Sequence, residues 1–195
     1  MLGTKILEER KSKYNGQLRV VKTLGMGTYI QANGLTQSGG IVEKIWRQTL
    51  KKVHRSPITV HRSLILGLGG GTAAKLIKKF WPRAKITGVE IDPVMIELGI
   101  RYLGLDTSGI KIVIGDARKF KIKKYDLVIV DTYLGDKFID ITRLYLTKSK
   151  IIVFNRLCYG DKRPEAVKFG RKLEKIFPKV EWFYPEANLM FFCYN

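Results

Sequence analysis

The sequence predicts an α/β fold: a mostly parallel sheet with helices on both faces, closed by an antiparallel hairpin and preceded by a small β-rich segment. Three observations predict it. From Ser63 onward, short apolar runs alternate with segments of helical period, which is the pattern of a sheet covered on both sides. Successive apolar runs end in glycine or a short acid, at Gly67, Glu90, Asp116 and Asp131, and the carboxyl ends of parallel strands are where open α/β sheets collect ligands. The last two β-prone runs are separated only by Pro185, Glu186, Ala187 and Asn188, a hairpin spacing.

The elements follow in chain order. Residues 17–23 and 28–32 are β-prone and flank Leu24, Gly25, Met26 and Gly27, whose glycines suit a hairpin turn; Asn33 and Gly34 mark a second turn. Ile41, Val42, Ile45, Trp46, Leu50 and Val53 recur at spacings of three and four, so 41–53 is expected as an amphipathic helix with a basic outer face. Pro57 then disfavours helix at the residue before it, making 55–57 a connector. Strands are expected at 63–67, 86–90, 110–114, 126–131 and 150–154. Helices are expected over 72–80, 93–103, 137–146 and 164–176, and the closing strands over 180–184 and 189–194. The first dozen residues read as disordered. This divides the chain into an N-terminal hairpin-plus-helix extension, 1–57, and a sheet domain, 58–195.

With 195 residues, 45% hydrophobic and 27% charged, the chain has the apolar content of one substantial core. No run of about eighteen apolar residues occurs and Met1, Leu2, Gly3, Thr4 and Lys5 lead into charged residues, so neither a membrane span nor a signal peptide is expected and a cytoplasmic location is. Two cysteines, Cys158 and Cys193, and two histidines, His54 and His61, have no ligand spacing. No metal is expected, and both cysteines read as reduced core thiols. The formal net charge of +19 attracts anions and suits a partner such as RNA. Set against that is plain composition, because Lys is spread over every segment.

The chemistry concentrates at strand ends. Ser63 to Leu66 runs into Gly67, Leu68, Gly69, Gly70, Gly71 and Thr72, where a helix begins; side-chain-free positions let backbone approach a ligand, and Thr72 can cap the helix. Glu90 lies about twenty residues further on, where an acid accepts from ribose hydroxyls. Asp92, before Pro93, suits either helix capping or ligand contact. Gly115, Asp116 and Ala117 place another acid at the same rim, able to accept from an adenine amino group, and the fourth strand delivers Asp131, Thr132 and Tyr133 there. A nicotinamide site prefers Gly where Thr72 stands and does not call for the element around Asp116. The ensemble resembles the Rossmann-like class I methyltransferase pattern, with a seven-stranded sheet.

Within that pattern the residues resemble the spermidine synthase family of polyamine aminopropyltransferases and its methyltransferase-like relatives. Gly34, Leu35, Thr36 and Gln37 match the end of that family's N-terminal segment, Gly69, Gly70 and Gly71 its triple glycine, and Val89 to Asp92 its ribose-binding strand end. Gly115 and Asp116 match its adenine site and Asp131 its catalytic aspartate. The resemblance implies S-adenosylmethionine or its decarboxylated form as co-substrate, Gln37 against the methionine-derived tail, and a homodimer formed partly through the N-terminal region. The departures bear on the acceptor. Thr72 and Leu134 stand where the family has acids, and Trp46 and Gln48 where it has a tyrosine and a glutamate; those acids hold a diamine dication.

Three readings follow. In the first, a methyltransferase serves a small-molecule or anionic acceptor, with Asp131 or Tyr133 orienting it or taking its proton and Asp136 a more remote candidate. In the second, an aminopropyltransferase of polyamine biosynthesis uses Asp131 as base. The third is a non-catalytic nucleoside-binding module.

Overall fold

The structure, a computed structural model, describes residues 3–121, 123–141 and 149–195. It begins with an antiparallel meander of four strands, β1 (Thr4–Ser12), β2 (Gly16–Thr23), β3 (Gly27–Ala32) and β4 (Leu35–Gly39). The first dozen residues, expected to be disordered, therefore supply a full strand. Its sequence is charged and half-exposed, with no apolar alternation to announce it, and the backbone ladder to β2 holds it. Helix α1 (Gly40–His54) follows, with Ile45, Trp46, Leu50 and Val53 turned inward, as the period of its apolar residues requires.

The main sheet has seven strands in the order β12-β13-β11-β8-β5-β6-β7. Strands β5 (Arg62–Leu66), β6 (Lys85–Glu90), β7 (Ile110–Ile114), β8 (Leu127–Val130) and β11 (Ile151–Leu157) run parallel. The hairpin of β12 (Lys179–Phe183) and β13 (Asn188–Tyr194) adds antiparallel to β11. Helices α2 (Thr72–Phe80) and α3 (Pro93–Leu103) supply the β5–β6 and β6–β7 crossovers, and α4 (Lys162–Glu174) joins β11 to β12. Pleating sorts the core: Ile65, Ile129 and Val153 face α1 and α2, while Leu64, Leu66, Val128, Val130 and Phe154 face α4. The meander covers α3 through Leu18, Val20, Ile30, Met95 and Leu98.

The helix expected over 137–146 is not formed where the chain is described. Tyr133–Leu134 (β9) and Lys137–Phe138 (β10) make a small hairpin, turned at Gly135 with φ 62° and closed by a bond from the Ile139 amide to the Thr132 carbonyl. Residues 142–146 of that expected helix lie outside the described residues. Cys193 is a buried thiol within β13, whereas Cys158 is half-buried in the loop after β11. No helix among the described residues is long and apolar enough to cross a membrane. Because α1 shares one core with β5, β8 and β11, the boundary at residue 57 separates elements that pack as one body.

Candidate functional site

The carboxyl ends of β5, β6, β7 and β8 open into a cavity of about 310 Å³, within the range that encloses a small ligand. The meander and α1 roof it with Gln37, Ser38, Ile41, Ile45 and Trp46. The turn after β5 forms its floor. Gly67 has φ 86°, and a Cβ there would sit 2.2 Å from the Asp131 carbonyl oxygen, so only glycine lets the β5 and β8 ends approach this closely.

The structure brings the expected residues together, with distinct tasks. Gln37, Gly67, Gly69, Thr72, Glu90, Asp116, Ala117, Asp131 and Tyr133 all line the cavity. Glu90 accepts from the Gly69 amide at 2.7 Å and the Asp92 amide at 3.0 Å, and burial pushes its carboxyl above the ordinary value against those bonds. Each oxygen keeps acceptor capacity toward a hydroxyl. Asp116 caps the 3₁₀ turn Ala117–Lys119 and grips Arg118 through Nε and Nη2, which holds its pKa low. Gln37 reaches from β4 to the Gly135 carbonyl at 3.1 Å, fixing the roof to the β9–β10 turn.

Several residues do other work than the sequence suggested. Asp92 lies wholly behind the cavity wall. It caps α3 by accepting from the Val94 amide and receives Ser12 Oγ from the end of β1 and Asn15 Nδ2 from the β1–β2 turn, so in this structure it anchors the meander. Gly70 and Gly71 also stand off the wall. Gly70 donates to Ser38 Oγ at 2.8 Å, and a Cβ on Gly99 of α3 would come within 2.7 Å of Gly70 Cα; these glycines serve packing. Thr72 does not cap α2, since Gly71 holds that position. Its Oγ1 accepts from the Gly39 amide at 2.8 Å, stitching roof to floor. Asp136 pairs with Lys162 at 2.8 Å outside the cavity.

Asp131 is the most chemically poised group. Trp46 Nε1 donates to one oxygen at 3.1 Å and Asn155 Nδ2 to the other at 2.8 Å. Asn188 in turn donates to Asn155 Oδ1 at 2.7 Å, which fixes the amide so that its NH₂ faces the carboxylate. Burial raises Asp131 to about 6, opposed by the Asn155 and Trp46 bonds, which places it near the pH where a carboxylate serves as a general base. Tyr133 has no such freedom. Its hydroxyl donates to the Asn155 carbonyl at 3.1 Å and accepts from the Leu157 amide at 2.9 Å, and burial drives its pKa up, so in this structure it braces β9 against β11. Sequence reasoning missed Asn155, Asn188 and Asn15. Asn155 left a signal, an amide closing the apolar run Ile151 to Phe154 at the same rim; the other two left none.

No protein-family model matches the chain. It is 31% identical over 110 residues to the polyamine aminopropyltransferase of Vibrio vulnificus, a match covering 48% of this chain and 37% of that protein. It is 23% identical over 161 residues to the eEF1A lysine and N-terminal methyltransferase of Mus musculus, covering 71% of this chain and 23% of that one. The chain thus spans well under half the length of either relative. In structure it superposes on the spermidine synthase of Thermotoga maritima with a TM-score of 0.73 and 19% identity, over 97% of this chain and 72% of that one. The chain is therefore related to the polyamine aminopropyltransferases and to methyltransferases, and it has the Rossmann-like α/β fold of the spermidine synthases, preceded here by an N-terminal antiparallel sheet.

Proposed function

We propose that the chain is a transferase that takes S-adenosylmethionine in this cavity and moves its methyl group to an acceptor placed at Asp131. The observation that carries the reading is the charge at the acceptor end. Among the described residues there, Asp131 is the one carboxylate, and Trp46, Leu134, Tyr133, Asn155, Leu157 and Tyr159 complete the wall. A diamine would leave its second ammonium in that wall without a counter-charge, and the desolvation penalty for a buried unpaired ion is several kcal/mol.

The residues fit an adenosine-type donor. Glu90 offers acceptor capacity to ribose hydroxyls, Asp116 and the backbone around Ala117 face the base, and Gln37 and Gly69 lie toward the tail. When bound, the donor supplies an alkyl carbon already activated by its sulfonium, so the protein has mainly to orient the acceptor and exclude water. Asp131, half-ionised near pH 6, accepts the proton released by an attacking amine or hydroxyl and returns it to solvent. Trp46 and Asn155 hold both of its oxygens in place.

One observation favours a second reading, aminopropyl transfer from the decarboxylated donor. The one guanidinium on the described cavity wall, Arg118, is committed to Asp116, which leaves no cationic side chain there for a donor carboxylate. Calorimetry with S-adenosylmethionine, its decarboxylated form and methylthioadenosine, followed by mass spectrometry of products formed with small amines, separates the two. Methyl transfer requires that S-adenosylmethionine bind and that a methylated product form. A tenfold preference for the decarboxylated form, with an aminopropylated product, shifts the assignment to the second reading. Binding without turnover of either leaves a nucleoside-binding module.

A further inference from the structure

Residues 44–89 hold eleven Lys and Arg and no Asp or Glu, in a chain with 17 acids. The fold gathers this stretch onto one face. α1 and α2 pack side by side, and their C-terminal ends lie at the edge where β5 and β6 begin, opposite the edge that opens into the cavity. The His54 ring, at the end of α1, stands 5.3 Å from both Phe80 and Trp81 at the end of α2. Around these rings Lys51, Arg55, Lys75, Lys79, Arg83 and Lys85 are exposed, and none has a carboxylate within ion-pair distance among the described residues. Cations at the fringe are neutralised, Lys44 by Glu186, Arg47 by Glu43 and Lys52 by Glu181.

From this arrangement we infer that the α1–α2 end of the molecule is a binding face for the phosphodiester backbone of a nucleic-acid strand. Basic residues in a last helical turn offset the helix dipole, which accounts for Lys51 and Lys79 but not for Lys75, Arg83 and Lys85, which lie outside a last turn, nor for the lack of any acid within residues 44–89. Lys51 and Arg55, and likewise Lys75 and Lys79, are one helical turn apart, roughly 6 Å, so each helix presents a row of charge rather than a single site. Such rows suit a polyanion and exceed what one small anion needs. The rings add stacking surface, since His54 is exposed and Phe80 and Trp81 are half-exposed, and base stacking on such side chains is tolerant of sequence. A membrane surface fits less well, because none of the exposed large apolar residues lies here. The face is remote from the cavity, so the inference stands apart from the transferase reading.

The test is fluorescence anisotropy with labelled strands of about 20 nucleotides, oligo-U and oligo-dT, titrated across salt. Lys51→Glu, Arg55→Glu, Lys79→Glu and Arg83→Glu are combined in one variant. Lys5→Glu, Lys22→Glu, Lys168→Glu and Lys175→Glu are combined in a second, which changes net charge equally on other surfaces. The first variant is expected to lose at least about tenfold in affinity and to flatten the salt slope by about three, while the second stays within about threefold of the parent. Oligo-dT binding as tightly as oligo-U marks pure backbone recognition, and a preference for oligo-U marks RNA; both support the face. Equal loss in the two variants, binding only to anionic vesicles, or no binding at low salt overturns it. Donor calorimetry and circular dichroism on both variants separate this result from misfolding and from failure of the cavity assignment, and the corresponding Gln variants repeat the comparison if a Glu set does not fold.

Discussion

At the scale of single residues, Asp131 concentrates the consequences. An acid whose native pKa, about 6, lies above its ordinary 3.8 binds its proton more tightly folded than unfolded. It therefore contributes stability that is present below about pH 4 and lost as pH rises through 6, roughly 3 kcal/mol in all. Asp131→Asn should abolish turnover while keeping donor affinity, and the difference in unfolding free energy between variant and parent should move in the variant's favour by about 2 kcal/mol of that span from pH 4.5 to 7.5. Denaturant titrations at the two pH values measure it; a constant difference would show that Asp131 is not held in a desolvated place. Activity of the parent should rise through pH 6 and then level. Trp46→Phe removes a donor that lowers the Asp131 pKa, so it should displace this limb upward, whereas a merely structural role for the indole would leave the limb where it is. At the other end of the cavity, Glu90→Ala should weaken donor binding by about 1–3 kcal/mol, because the Gly69 and Asp92 amides lose their acceptor together with the ribose. Unchanged calorimetric affinity would remove Glu90 from the site.

At the scale of elements, the parts best read from sequence were those whose pattern is set by burial. β5, β6, β8 and β13 are almost wholly buried, so their apolar runs show through directly, and α2 and α3 carry their apolar stripe between a glycine turn or Pro93 and a defined stop. β1 was illegible because its stability comes from backbone pairing with β2 and from Glu8, which draws Arg10, Arg101 and Tyr102 to it, none of which leaves a period in the sequence. The same blindness touched the site. Asp92 has the position of a ligand group but the partners of a structural one, and those partners, Ser12 and Asn15, are about eighty residues away in sequence. Asp92→Ala removes the α3 cap and leaves buried Ser12 and Asn15 groups unpaired, so it should destabilise the protein by about 2–3 kcal/mol. Donor affinity, measured below the melting transition, should change little. A large loss of affinity with unchanged stability would return Asp92 to the ligand shell.

At the scale of the whole molecule, the issue is whether the roof is an accessory or part of the folding unit. The cavity takes its floor from strand ends and its roof from β4 and α1, and the two are joined by Gly39 to Thr72, Gly70 to Ser38 and Trp46 to Asp131. The core agrees with this. Ile45, Trp46, Leu50 and Val53 lie in one cluster with Ile65, Ile129, Val153 and Phe192, while the meander buries Met95 and Leu98 of α3. Removing residues 1–57 would therefore uncover both a helix face of the main sheet and the outer side of α3. Each large apolar side chain newly exposed costs on the order of 1.5–3 kcal/mol, and a domain of this size has only about 5–15 kcal/mol in total. The fragment 58–195 should accordingly lack a cooperative thermal transition. The full chain should melt in one step, with secondary-structure and tryptophan signals coincident, because Trp46 reports the same core that the sheet does. If the fragment instead unfolded cooperatively near the temperature of the full chain, the meander and α1 would be a separable lid, and the bonds that join them to the glycine turn would contribute to closing the cavity and not to building it.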